Sequence, residues 1–389
     1  MKSKRKYYSC KGHTRKRQMC RTRRRRGKII RGKPKITIIK KNRTKVNKKY
    51  RKKRGGGQLA DVLALLEAGG DPNKTIADNG VTPLYFASEK GYLDVVKALL
   101  KAGANPNQAK TNTGATPLCI SAKEGHIDIV KALLGADKVN PNQMTKDGTT
   151  PLYVACRQGD NDIVKAMLEA GAVYQIRTNF GDTPMYAAAS FNHVDVVTTL
   201  LEKGIDPNQA NTNNGVTPLH IASRNGYHEI VTILLKYNAD PNKSMTSNGT
   251  TPLYHATAGS DIAKIGRIKC LNILLLKGAD TNKAAHDGVT PLYVGAEMNQ
   301  TECLNILLMN GADPNKAAHN GVVPLHIAII NGNDKIVESL YLNGANMKMV
   351  NKKDGTTPLQ YIDFQVIPNL KIIEIMNYVA NIHPKRQGK

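Results

Sequence analysis

Thr-Pro-Leu-Tyr at Thr82 to Tyr85 returns, lightly altered, eight more times, at Thr116, Thr150, Thr183, Thr217, Thr251, Thr290, Val323 and Thr357. The successive spacings are 34, 34, 33, 34, 34, 39, 33 and 34 residues. A period of this length means one supersecondary unit stacked on copies of itself, because no single unit can bury its own apolar face. The architecture follows before any other residue is read. Function becomes a question about surfaces rather than catalysis.

Each unit has a physical reading. Asp78-Asn79-Gly80 is a tight-turn signal, since Asn and Gly accept positive φ cheaply. Thr82 fits an N-cap and Pro83 the first helical position, where no N–H is needed. A short helix then runs to a stop at Gly91. Leu93, Val95, Val96, Leu99 and Leu100 share one face of a second helix, which Gly103 ends. Ala104-Asn105-Pro106-Asn107 leads into the next turn.

The string Asn-Gly-Val-Thr-Pro-Leu-His-Ile-Ala-Ser at Asn214 to Ser223, with Gly-Ala-Asp-Pro-Asn at Gly311 to Asn315, resembles the ankyrin repeat. The resemblance runs from Gln58 to the C-terminus. It implies an all-α ankyrin-repeat solenoid of about nine to ten helix-turn-helix units with β-hairpin turns, preceded by a disordered basic tail. A partial unit at 58–77 leads, eight complete units follow, and a degenerate cap at 353–389 closes the array. Of 18 prolines, nine occupy the Thr-Pro-Leu position and six precede Asn in the turns between units, so the spacing and the prolines agree.

Charge divides the chain. Lys2 to Arg54 holds 27 basic residues and no acid, whereas the remainder has 30 of each sign. The whole formal charge of +27 therefore belongs to residues 1–54, and the repeats are formally neutral. So dense a like-charged block cannot form a core and is expected to be disordered, with Gly55-Gly56-Gly57 as a flexible joint. Two clusters suit phosphates or acidic surfaces: Arg21, Arg23, Arg24, Arg25, Arg26 and Lys28, then Lys48, Lys49, Arg51, Lys52, Lys53 and Arg54. They read as nuclear-targeting or nucleic-acid determinants, or else as a solubilising tail or a contact for anionic lipid. Tyr7, Tyr8 and Tyr50 are too few to argue base stacking, and Ile36-Thr37-Ile38-Ile39 could order as a short strand on binding.

Cys119 and Cys156 fall in first helices, and Cys270 and Cys303 take the slot of Val95, so all four read as small buried hydrophobes. Cys10, His13 and Cys20 supply only three ligands, at irregular spacing, so no metal site is expected. Free thiols point to a reducing intracellular compartment, the nucleus included. No stretch approaches the length and apolarity of a membrane span.

His220 and His326 follow Thr-Pro-Leu, where the ankyrin resemblance implies structural hydrogen bonds between neighbouring repeats. The slot holds Tyr85, Cys119, Tyr153, Tyr186, Tyr254 or Tyr293 elsewhere, which leaves that ladder open. His126 and His193 follow the turn between helices. No P-loop, nucleophile elbow, His-Glu-x-x-His or calcium loop occurs. No enzyme, catalytic residue or cofactor is expected.

The resemblance implies a protein-binding concave surface made of turn tips and first helices. Carried unit by unit, the expected contact residues are Glu89, Lys90, Lys123, Glu124, Lys146, Arg157, Gln158, Asn179, Phe180, Ser190, Phe191, Arg224, Asn225, Glu297 and Met298. Phe180 and Phe191 are two of only four phenylalanines, both at variable positions of one unit. They read as a binding anchor, or as partners packed on each other or on Tyr174.

The 39-residue spacing places an insertion at 258–269, between a first and a second helix, where it is expected to project as a tolerated loop or a second contact site. Ile367-Pro368 and Ile372 to Tyr378 also resemble a stub of an F-box-like helix, but too little chain remains for that fold. The leading functional expectation is a monomeric, non-catalytic interaction scaffold for one or more proteins, localised by its tail. The alternatives are a nucleic-acid-binding protein whose tail is the main activity, and an adaptor bringing a client to a ubiquitin ligase.

Overall fold

A computed structural model of the chain describes residues 56–259 and 263–364. The tail clusters at 21–28 and 48–54, Cys10 and Cys20, and the cap beyond residue 364 lie outside the described residues.

The threonine of each motif caps a helix. Thr82 Oγ1 accepts from Tyr85 N–H at 3.1 Å, and Pro83 opens the helix that follows, α2 (Pro83–Lys90). Gly91 ends α2 at φ 76°, a left-handed conformation that a residue with a Cβ enters only under strain. The partner helix α3 (Leu93–Lys101) buries Val95, Val96 and Leu99, an i, i+1, i+4 stripe. That pair repeats as α4 (Pro117–Lys123) with α5 (Ile127–Leu134), α6 (Pro151–Gln158) with α7 (Asn161–Glu169), and α8 (Pro184–Ser190) with α9 (Val194–Glu202). It continues as α10 (Pro218–Asn225) with α11 (His228–Lys236), α12 (Pro252–Thr257) with α13 (Lys264–Leu276), α14 (Pro291–Glu297) with α15 (Thr301–Met309), and α16 (Pro324–Ile330) with α17 (Asp334–Leu342). A lone α1 (Gly56–Glu67) precedes the eight pairs and a lone α18 (Pro358–Phe364) follows them among the described residues. Helix α1 reaches back into the glycine run, with Val62 and Leu66 packed against the core.

First helices stack on first helices and second helices on second helices, giving two layers with one continuous apolar core between them. Cys156, Cys270 and Cys303 are buried in it, and Cys119 is buried as well. The turns close like hairpins, for example Lys110 N–H to Ala115 O at 2.9 Å, yet no strand forms among the described residues. Adjacent tips are joined by single backbone hydrogen bonds, such as Thr111 N–H to Asn79 O at 2.8 Å and His319 N–H to Asp287 O at 2.9 Å.

Side-chain amides tie the opposite turns. Asn73 Oδ1 accepts from Asn105 N–H (2.7 Å) while its Nδ2 donates to Gly103 O (3.3 Å). Asn107, Asn208, Asn242, Asn282 and Asn315 make the same two-handed bridge to the next turn. These are the asparagines of the Pro-Asn and Thr-Asn turns.

The described part of the insertion is helix from Lys264, where it lengthens α13 at its start, and Gly266 lets the backbone of Gly226 approach where any Cβ would collide with Gly226 O at 2.3 Å. Residues 260–262 lie outside the described residues.

Candidate protein-binding surface

The expected contact residues take the seventh and eighth positions after a motif threonine, where the first helices end, except Lys146, Asn179 and Phe180, which lie at the turn tips before one. Glu89 pairs with Lys90 at 3.2 Å and Lys123 with Glu124 at 3.3 Å, so the charges of the first two complete units are largely spent on each other. Gln158 Nε2 donates to Lys123 O at 2.8 Å, joining one first helix to its predecessor. Ser190 Oγ donates back to Tyr186 O at 2.8 Å. Asn179 Nδ2 donates to Lys146 O at 3.0 Å across neighbouring tips. Lys146, Arg157, Arg224 and Met298 are exposed, and Asn225 is half-buried at the end of α10. Partial desolvation, then the charge of Asp287, raises the Glu297 carboxyl above its ordinary value.

Phe180 and Phe191 are exposed, at 68% and 51%. They make no ring contact with each other or with Tyr174 among the described residues; Tyr174 instead packs against the core. Phe180 sits at the tip before α8 and Phe191 caps its end. Arg157 holds its guanidinium over the Phe191 ring at 5.3 Å, and His193 stacks near-parallel at 6.4 Å.

The histidines are structural, as expected. His220 Nδ1 accepts from Thr217 N–H at 3.2 Å and its Nε2 donates to Thr250 O of the next unit at 3.1 Å. His326 repeats this with Val323 N–H and Thr356 O, at 3.1 and 3.4 Å. Among the described residues no tyrosine in the same slot donates its hydroxyl to the next unit, so the ladder is confined to the two histidines. His126 and His193 bridge units differently, donating to Glu89 O (3.3 Å) and Arg157 O (2.9 Å) at the ends of preceding first helices.

Sequence reasoning missed one buried side chain and one half-buried one. Arg267 of α13 is 0% exposed, with Nη1 donating to Ala256 O and Thr257 O at 3.0 Å and Nη2 to Gln300 Oε1 at 3.3 Å. Its signal was periodic: Arg267 precedes Leu271 and Leu274 by four and seven residues, on the inward stripe. His255 takes a slot that holds Ile120, Val154 or Ile221 in other units. Its ring meets His220 edge-on at 5.6 Å. Burial is the main force holding His220 down to about 4 and His255 down to about 3.

No group of metal-binding side chains gathers among the described residues, and no helix of these residues is long and apolar enough to cross a membrane. No curated protein matches the chain. The family model described as ankyrin repeats (3 copies) matches residues 54–145, 137–211 and 208–283, and the model described as ankyrin repeat matches 287–319 and 320–353. These matches cover most of the 389 residues and coincide with the stacked helix pairs, so the chain belongs to the ankyrin-repeat family, whose arrays are protein–protein interaction scaffolds.

Proposed function

We propose that the array binds protein partners through its turn tips and first helices, centred on the unit that opens at Thr183, and that the basic tail directs the chain to the nucleus or to nucleic acid. The exposure of Phe180 and Phe191 carries the first half of this reading. Large aromatic side chains left in water at a first-helix end and the turn tip before it favour burial by a partner. The segregation of 27 basic residues and no acid into residues 1–54 supports the second half.

Two variants test the halves separately. Replacing Phe180 and Phe191 with Ala is expected to lower captured protein partners at least tenfold while localisation stays unchanged. Removing residues 1–57 is expected to do the reverse. Unchanged capture by the double-alanine chain would remove the anchor, and unchanged localisation without the tail would remove the targeting role.

A further inference from the structure

Arg157, Phe191 and Arg224 occupy the ends of α6, α8 and α10, three successive first helices. Their surroundings set them apart from the rest of that row. Earlier in the array Lys90 and Lys123 are already paired with Glu89 and Glu124, and later Ala258 and Gly259 are uncharged. Neither Arg157 nor Arg224 has a carboxylate within ion-pair distance among the described residues. The nearby acids are engaged elsewhere: Asp160 accepts from Ile163 N–H at 3.1 Å, and Asp182 accepts from the Asn211 amide. The row thus presents cation, aromatic, cation, with the first cation lying on the aromatic face.

We propose that this edge binds an extended acidic peptide segment whose two carboxylates meet Arg157 and Arg224 and whose apolar side chain between them covers Phe191, an assignment that rests on the protein-binding reading above. Neighbouring helices pack about 8–10 Å apart, so the helix positions of the two arginines stand roughly 16–20 Å apart. An extended chain rises about 3.3 Å per residue and covers that span in roughly five to six residues. The charge excludes the chain's own tail as occupant, since residues 1–54 hold no acid. Nucleobase stacking is disfavoured because the Arg157 guanidinium lies over the Phe191 ring and His193 stacks alongside it. What stays exposed suits an aliphatic side chain better than a flat base.

A phage-displayed random dodecapeptide library selected on the full chain tests this, with counter-selection on a Phe191→Ser chain that keeps the tail and so removes acidic peptides held by it. Circular dichroism and urea midpoints verify that this variant and the Arg157→Gln and Arg224→Gln variants stay folded. The expected survivors carry two acidic residues about five to six positions apart around an aliphatic one. Their synthetic versions are expected to bind either arginine variant at least tenfold more weakly than wild type. Survivors that depend on Phe191 but lack acids would overturn the acidic assignment and leave the protein-binding reading standing. No Phe191-dependent survivor, or Phe191-dependent binding of oligothymidylate in its place, would overturn the proposal and count against that reading as well.

Discussion

Arg267 caps the final carbonyls of α12 from inside the array and reaches Gln300 in the next unit, so one side chain holds the inserted segment to two repeats. Arg267→Met keeps volume and leaves the Ala256 and Thr257 carbonyls without this donor, at a cost of about 3 kcal/mol. Urea unfolding measures it, and a loss under about 0.5 kcal/mol, the size of an ordinary surface change, would contradict the account. The His220–His255 pair gives a pH test. Burial keeps both imidazoles neutral in the fold, at about 4 and about 3, whereas an unfolded imidazole titrates near 6.5. Below that value the unfolded chain binds more protons, so stability is full above about pH 6.5 and falls as pH drops towards 4. From pH 7 to 5 the pair is expected to lose about 2–4 kcal/mol, and His255→Ile to remove roughly half of that slope. Equal urea midpoints at the two pH values would refute it. Neither residue was marked by the repeat, because both stand where the pattern is broken: Arg267 in extra sequence, His255 in a slot filled in most other units by aliphatics.

At the scale of elements, caps, turns and inward faces were legible because each rests on local chemistry repeated at a fixed period. Thr82, Thr116 and Thr150 all cap as their sequence requires. The asparagine bridges were hidden, since they join residues about one period apart and depend on how turns stack. One bridge is missing. Gln175 stands where Asn107 and Asn208 bridge, and makes no such contact among the described residues. Arg177 Nη1 to Ala210 O, with Asn211 Nδ2 to Phe180 O at 2.7 Å, ties that junction instead. Gln175→Asn shortens the side chain to the length used elsewhere and is expected to add about 1 kcal/mol. Slower amide exchange at Asp206 would register the new bond, and unchanged exchange would count against the bridging role.

For the whole molecule, charge and fold are assigned to different stretches of sequence: the basic excess to residues 1–54 and a formally neutral set of repeats to the rest. On the nucleic-acid reading proposed above, replacing the basic residues of 21–28 and 48–54 with Ser is expected to weaken duplex-DNA binding by the intact chain and to flatten its salt dependence, whose log–log slope is about −0.9 per neutralised phosphate. Binding that is flat in salt before the replacement, or unweakened by it, would contradict this. The array also carries a rival exposed row at the ends of second helices, with Leu276 at 85% and Met309 at 84%. The most direct test of the protein-binding surface compares the two rows. A photoreactive phenylalanine analogue is placed at position 191 or at position 276 of the full chain and irradiated in cells. The account predicts protein adducts from position 191 and none above background from position 276; adducts from 276 with none from 191 would contradict it.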